Sequence, residues 1–209
     1  MNPLRLKAAL LEMLYPSVCV GCGSEVAEDV LCQCCMAELQ LIDSHLRCVK
    51  CFAPLQEGKC RRPHILGCYA AALFEQDSPA KKLLAFARAK EAERLIKLFA
   101  SSMILQADRL KWPEPDLIIA APRYKSLNAH LSQELARNYE IPNISAFAPN
   151  RSGMNIALRP HIPNITDQNI YLIDEKLTKN TTTFAKTLYP LSPKKVYALS
   201  ILDGTCENV

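Results

Sequence analysis

Two pairs of cysteines near the amino terminus constrain this chain more than any other feature of its sequence. Each pair has the spacing Cys-x-x-Cys, and nine residues separate the pairs. A Cys-x-x-Cys turn directs two thiolates to a common point, so two such turns can surround one tetrahedral metal ion. We therefore predict a firmly bound structural zinc at Cys19, Cys22, Cys32 and Cys35, with Cys34 as an alternative to its neighbour Cys35.

A second group of metal-ligating residues follows directly, and its spacing is less regular. It consists of a third Cys-x-x-Cys pair, a single cysteine and a histidine, namely Cys48, Cys51, Cys60 and His64. These residue types also bind zinc, and we predict a second, weaker zinc site here. In the alternative interpretation, Cys60 is an ordinary loop cysteine and His64 is a surface histidine.

The number of cysteines raises the question of disulfides. The chain has ten cysteines, but disulfide frameworks are typical of small secreted domains that carry an export signal. The first 16 residues do not fit such a signal, because Glu12 interrupts their apolar run and no small-residue cleavage site follows. No apolar run approaches the ~20 residues that cross a bilayer. We therefore expect reduced thiols, a cytoplasmic location and no membrane insertion.

The chain divides into two regions of different composition. Residues 1–66 are predicted to form a helix and a zinc-ribbon region, in which metal replaces the missing large apolar residues. Residues 67–209 alternate apolar runs with amphipathic stretches. We predict strands at 68–74, 116–121, 170–173 and 196–202, and helices at 79–109, 128–139 and 181–188. This alternation predicts an α/β fold with a mostly parallel sheet, whose ligands bind at the carboxyl ends of the strands.

The run from 171 to 182 places reactive groups at the end of a predicted strand. Asp174 and Glu175 follow the apolar residues, and a turn rich in hydroxyl groups precedes the next helix. Backbone N–H groups at a helix amino terminus bind phosphate, helped here by Thr178, Thr181 and Thr182. The two carboxylates would then accept hydrogen bonds from a ribose. Periodicity alone favours a simpler interpretation, a solvated acidic pair followed by a helix that threonine caps.

This run resembles a degraded phosphoribosyl diphosphate (PRPP) motif of the type I phosphoribosyltransferases, which is an apolar strand, Asp-Asp or Asp-Glu, two variable residues and Thr-Thr-Gly-x-Thr. Lys179 stands at the motif's second threonine and Asn180 at its glycine. Asparagine tolerates the left-handed conformation at a cost of about 1 kcal/mol relative to glycine, so we expect the loop to survive. The resemblance implies that PRPP, with magnesium, binds at Asp174, Glu175, Thr178, Lys179, Asn180, Thr181 and Thr182.

Over nearly its whole length, the chain resembles the ComF family of competence proteins, which join a zinc-ribbon region to a type I phosphoribosyltransferase domain. Residues 14–22 match the start of the family's first Cys-x-x-Cys turn, and residues 116–122 lie where the family has a strand ending in Pro-Val-Pro. Asn128 is kept from a segment that reads Arg-Gly-Phe-Asn-Gln in the family. The resemblance implies a sheet of phosphoribosyltransferase type. It also implies that the protein handles single-stranded DNA during natural transformation, with DNA-uptake proteins as partners.

The sequence leaves three functions open. The first is DNA handling, in which the zinc-ribbon region and one side of the helix at 79–109 would contact the phosphates. The second is an active phosphoribosyltransferase that transfers ribose 5-phosphate to a base or an amine, with the loop at 121–125 holding the pyrophosphate. The third is an inert scaffold with a vestigial nucleotide site. The basic residues that bear on the first are Arg47, Lys50, Arg61 and Arg62 beside the cysteines, and Lys90, Arg94 and Lys97 on the helix, which are equally well a solvated face.

Overall fold

The structure of the protein, a computed structural model, describes residues 17–26, 30–62, 64, 67–90, 93–123, 125–148 and 157–204. The helix expected at the amino terminus lies outside these residues. Within them, the chain forms a cysteine-rich segment, residues 17–64, followed by an α/β domain.

Five parallel strands form one sheet in the described part of the domain, in the order β1-β5-β4-β2-β3. The two longest strands, β4 and β5, are adjacent inside the sheet and buried along most of their length. Such continuous burial is expected of parallel strands that helices cover on both faces. The predicted α/β fold with a mostly parallel sheet is confirmed. The strands are β1 Cys68–Glu75, β2 Leu117–Ala120, β3 Asn143–Ile144, β4 Asn169–Leu177 and β5 Lys195–Asp203.

The helices follow the predicted pattern with two differences. The helix expected over 79–109 is described as α2 and α3, between which residues 91 and 92 lie outside the described residues. The last helix begins at Lys179, two residues earlier than expected. None of the helices in the described ranges has both the length and the apolar character that a membrane span requires. The helices are α1 Gln33–Ala37, α2 Ala80–Lys90, α3 Glu93–Arg109, α4 Asn128–Tyr139 and α5 Lys179–Leu188, and short 3-10 turns span Ser44–Leu46 and Tyr189–Leu191.

The cysteine-rich segment packs against the outer edge of the sheet, at strand β1. The Ala70 amide donates to the Lys50 carbonyl at 2.8 Å, and the Ile42 amide donates to the Leu73 carbonyl at 2.8 Å. Ile42 and Phe52 are buried in the same hydrophobic core as the strands. An exposed edge strand is a template for unwanted pairing, and these contacts cover it. The segment is therefore part of the folded body and not a separate appendage.

Arg47 ties the cysteine-rich segment to the carboxyl ends of two strands. Its guanidinium forms ion pairs with Glu75 at the end of β1 and, at 2.6 Å, with Asp203 at the end of β5. It also donates to the Phe52 carbonyl at 3.3 Å. The Arg47 side chain is only 8 % exposed and that of Asp203 is fully buried. Arg47 is therefore an internal residue, and the prediction that it adds to a DNA-binding surface is wrong.

Substitution of Arg47 by methionine should destabilise the fold by about 3 kcal/mol, because it leaves the Asp203 carboxylate buried without its charged partner. Denaturant unfolding with zinc held in excess measures this loss. The matched control is Arg137→Met, which breaks an exposed pair with Glu134 and should cost less than about 1 kcal/mol. Equal effects of the two substitutions would contradict the tethering role of Arg47.

Candidate functional site

The four cysteines of the first cluster converge as their spacing predicts. The Sγ atoms of Cys19, Cys22, Cys32 and Cys35 lie within 4.8 Å of one another, and the Cys22 and Cys32 sulfurs are 3.7 Å apart. Sulfurs that share a tetrahedral zinc at about 2.3 Å are separated by about 3.8 Å. Cys34 is exposed and stands outside the cluster. The donor set and its spacing therefore fit zinc.

Local backbone geometry prepares this first cluster for a metal. The Cys32 amide donates to the Cys19 sulfur at 3.3 Å, and this hydrogen bond lowers the pKa of the Cys19 thiol to about 6. Zinc binds the thiolate form, so the lowered pKa favours coordination at neutral pH. A side chain at Gly21 would come within 2.6 Å of the Cys35 sulfur. The glycine of the first Cys-x-x-Cys turn thus leaves room for the thiol that approaches it.

The second cluster also assembles, and His64 is part of it. Its donor atoms, from Cys48, Cys51, Cys60 and His64, lie within 4.8 Å of one another. The Nε2 atom of His64 is 3.2 Å from the Cys48 sulfur and 3.2 Å from the Cys60 sulfur, while the sulfurs of Cys51 and Cys60 are 3.5 Å apart. Three thiolates and one imidazole are a common structural zinc set, and these residues fit it.

Asp174, predicted to bind the ribose, lies in the interior. Its side chain is fully buried, and its Oδ2 accepts hydrogen bonds at 2.7 Å from the Arg123 Nη2 and at 2.7 Å from the Thr181 hydroxyl. Its Oδ1 pairs with the Arg123 Nε and accepts from the Asn128 amide group at 3.3 Å. Both oxygens are thus satisfied within the protein.

Glu175 is held in the same way by a different arginine. The Arg88 guanidinium, from α2, donates to its two oxygens at 3.0 and 2.6 Å. The Leu127 amide adds a third hydrogen bond at 2.7 Å, and Glu175 is 2 % exposed. Sequence reasoning missed Arg88, and it placed Arg123 within the loop at 121–125 assigned to pyrophosphate, without its pairing to Asp174. Arg123 directly follows β2, and the carboxyl ends of β2 and β4 are neighbours in a parallel sheet, so the sequence could have indicated that Arg123 lies near Asp174. No sequence pattern indicated the position of Arg88.

The remaining motif residues form the first turn of α5. The Thr181 hydroxyl accepts a hydrogen bond from the Thr178 amide at 3.0 Å, which caps the helix. Thr181 is buried, while Lys179, Asn180 and Thr182 are exposed. Asn180 lies within the helix and not in the left-handed region. The expectation that its tolerance of that conformation preserves the loop is therefore wrong, because the helix starts earlier than the motif's spacing suggested.

A cavity of about 530 Å³ opens between the start of α5 and the second cysteine cluster. The motif residues Thr178, Lys179 and Thr182 line it on the α5 side, and Cys51 and His64 line it on the cluster side. Its basic residues are Lys50, Arg62, Lys179 and Lys186, and none of its described lining residues is acidic. Four basic residues and three threonines therefore line the cavity, and the Thr183 hydroxyl among them already donates to the Lys179 carbonyl at 3.2 Å.

The basic face predicted on the helix at 79–109 differs from the cavity in the partners of its charged residues. The Lys97 ammonium pairs with Glu93 at 2.7 Å, one helical turn away, and this exposed pair offsets part of the positive charge. The Lys90 side chain lies outside what the structure describes, and Arg94 has an interaction partner of its own. Of the three cations predicted on this face, Lys97 is therefore the one that the structure shows paired with an acid, and Arg62 at the cavity likewise has an interaction partner of its own.

Comparison with known proteins gives structural similarity only. No family model matches the chain, and no curated protein matches it. A hypoxanthine-guanine phosphoribosyltransferase from Bacillus anthracis is 16 % identical over 54 % of this chain and 68 % of its own, with a TM-score of 0.40. A purine phosphoribosyltransferase from Pyrococcus horikoshii is 16 % identical over 55 % of this chain and 77 % of its own, with a TM-score of 0.40. A Trypanosoma cruzi hypoxanthine phosphoribosyltransferase, complexed with the product IMP, is 16 % identical over 53 % and 65 %, with a TM-score of 0.37. Similarity this weak says nothing about activity.

Protein purified without chelator should contain two zinc ions per chain, because both clusters offer four convergent donors. Elemental analysis measures the number. The Cys60→Ser variant should lose one ion and the Cys22→Ser variant the other, whereas Cys34→Ser should keep both. One zinc or none in the wild-type protein would contradict this assignment.

The buried pair of Asp174 and Arg123 should be a strong determinant of stability. Asp174→Ala should cost about 3–5 kcal/mol, since it leaves a guanidinium without its partner, and the double variant with Arg123→Ala should cost less than the sum by about 1–3 kcal/mol. Denaturant unfolding of the four proteins measures this coupling. The exposed pair of Glu93 and Lys97 is the control, with a coupling below about 0.5 kcal/mol. Additive losses at Asp174 and Arg123 would show that the pair does not act as a unit.

Proposed function

We propose that the protein binds a phosphorylated ribose or a nucleotide in the cavity beside α5 and that it does not transfer the ribose. The charge of the cavity carries this proposal, since Lys50, Arg62, Lys179 and Lys186 line it and no described acidic residue does. Its volume of about 530 Å³ lies within the range of roughly 300–1,000 Å³ that is usual for small-molecule sites. Such a lining favours an anion over a neutral or cationic ligand.

The start of α5 supports the same ligand class. Thr178, Thr182 and Thr183 bring hydroxyl groups to the cavity, and the amide groups of a first helical turn favour negative charge. Lysine ammonium groups bind phosphate as point charges and need no fixed geometry. Apolar lining from Leu177 and Ala70 suits the carbon skeleton of a sugar or base.

The state of the motif carboxylates argues against ribose transfer. A ribose could reach Asp174 and Glu175 only if Arg123 and Arg88 released them, and breaking these pairs would remove the charged partners of two buried carboxylates. We infer that the site binds its ligand through cations and hydroxyl groups, without help from the two acids. The second candidate is an active transferase, which the resemblance to the PRPP motif supports and which would need magnesium with PRPP.

The resemblance to the ComF family connects this site to single-stranded DNA. DNA phosphates are chemically similar to the phosphate of a nucleotide, and Arg61, exposed beside the second cluster, would extend the positive surface of the cavity. We propose a cytoplasmic role in handling single-stranded DNA during natural transformation, in which DNA-uptake proteins act as partners. Binding that neutralises phosphates weakens steeply with salt.

Calorimetric titration with ribose 5-phosphate, and with PRPP plus magnesium, tests the proposal. Lys179→Ala and Lys186→Ala should each weaken binding by about fivefold, which is the effect of about 1 kcal/mol per lost hydrogen bond. Lys194→Ala, on an exposed lysine that is not among the described residues lining the cavity, should leave affinity unchanged.

Two further outcomes separate the candidates. Release of pyrophosphate from PRPP in the presence of a base or an amine would replace the binding role with the transferase. Ribose 5-phosphate should compete with a labelled single-stranded oligonucleotide in fluorescence anisotropy at low salt. Absence of binding to either small ligand at millimolar concentration would reject the cavity as a phosphate site.

A further inference from the structure

The cavity has two walls, which come from distant parts of the chain. One wall is α5, from Thr178 before its first turn to Lys186 in its last, and the other is the second cysteine cluster. The two cations of the cluster wall lie inside the metal-binding turns themselves, Lys50 between Cys48 and Cys51, and Arg62 between Cys60 and His64. Half of the cavity's basic residues are therefore positioned by the same loops that hold the second metal site.

The backbone around these cations is bound to the cluster sulfurs. The Lys50 amide donates to the Cys48 sulfur at 3.5 Å, and the Arg62 amide donates to the Cys60 sulfur at 3.5 Å. The Lys50 carbonyl accepts from the Ala70 amide at 2.8 Å, which fixes this turn to the sheet. Each of these bonds fixes the backbone of a cation to the sulfur two residues before it, so the placement of the two cations relative to each other follows the separation of the two sulfurs, which a shared metal would hold constant.

We propose that the second cluster is a zinc-dependent half of the anion site, so that zinc binding and phosphorylated-ligand binding strengthen each other. This inference rests on the proposed function of the cavity and adds its regulation. With zinc in place, Lys50 and Arg62 face the ligand from the side opposite Lys179 and Lys186. Without zinc, the two turns lose their common anchor, and the ligand keeps only the cations of α5.

The first cluster has no such role. None of Cys19, Cys22, Cys32 and Cys35 is among the described residues that line the cavity. The two zinc sites therefore differ in function, one supporting the fold alone and the other supporting a binding surface as well. Linkage is reciprocal, so the factor by which zinc raises ligand affinity is also the factor by which ligand raises zinc affinity.

The first arm of the test compares two metal-ligand variants that do not line the cavity. Ribose 5-phosphate affinity is measured by calorimetry for wild type, Cys60→Ser and Cys22→Ser, with zinc content from elemental analysis and folding from circular dichroism. Cys60→Ser should bind at least about fivefold more weakly, at the low end of typical coupling, whereas Cys22→Ser, if folded, should bind as wild type does. Equal affinity of folded Cys60→Ser and wild type would overturn the linkage and leave the proposed function intact.

A second arm avoids any loss of fold by leaving the metal ligands unchanged. Lys50→Ala and Arg62→Ala should each weaken ribose 5-phosphate binding while both zinc ions are retained. Lys59→Ala is the matched control, because Lys59 is exposed beside Cys60 and is not among the described residues that line the cavity. Unchanged affinity in both Lys50→Ala and Arg62→Ala would show that the cluster wall takes no part in binding.

The third arm measures the reciprocal effect on the metal. At equilibrium, saturating ribose 5-phosphate should reduce the transfer of one of the two zinc ions to a competing colorimetric chelator, by an amount that corresponds to an at least about fivefold higher zinc affinity, and leave the other ion unaffected. The effect should persist in Cys22→Ser, which keeps only the second site, and be absent in Cys60→Ser. A wild-type protein that binds no ribose 5-phosphate would reject both the proposed function and the linkage. One that binds it with no change in zinc transfer would reject the linkage alone.

Discussion

Buried acids at the carboxyl edge of the parallel sheet are the constraint on which the rest of the structure depends. Three carboxylates at this edge have almost no contact with solvent, and a buried carboxylate is tolerated only beside a positive charge. Each is neutralised by an arginine from a different part of the chain. The requirement therefore fixes the loop after β2, the helix α2 and the cysteine-rich segment to one edge of the sheet. The pairs are Asp174 with Arg123, Glu175 with Arg88, and Asp203 with Arg47.

This neutralisation changes which ligands the carboxyl edge of the sheet can bind. In open α/β sheets the carboxyl ends of the strands form the usual ligand crevice, but here guanidinium groups occupy the acids that would meet a ribose. Positive charge lies along α5, where Lys179 in the first turn and Lys186 in the last turn line the cavity opposite the second cluster. A ligand recognised there is selected by its phosphate rather than by its sugar hydroxyls.

Local sequence patterns predicted the fold class and the groups of candidate metal-ligating side chains. They did not predict the ion pairs between residues that are distant in sequence. Six of the eight converging donors were found from Cys-x-x-Cys spacing, because such a turn is a local structure, whereas Cys60 and His64 were proposed from residue type with an open alternative. The alternation of apolar runs located four of the five described strands and missed β3. The ion pairs of Asp174, Glu175 and Asp203 join residues that are 51, 87 and 156 positions apart, so no window of sequence contains them. The expectation for Asn180 was wrong for another reason. It applied the loop spacing of the motif to residues that belong to α5. The resemblance to the ComF family stays a prediction.

The second cluster lies where the cysteine-rich segment contacts the α/β domain. Its turns are attached to the outer strand β1 through Lys50, and the neighbouring Arg47 reaches the ends of β1 and β5. The cysteine-rich segment has few apolar side chains of its own, and those it buries, such as Ile42 and Phe52, join the core of the domain. A metal bound by the second cluster would therefore stabilise the same turns that packing against the α/β domain stabilises from the other side. A metal site in that position affects the shape of the cavity beside it, because the residues between its ligands are also the cavity's wall.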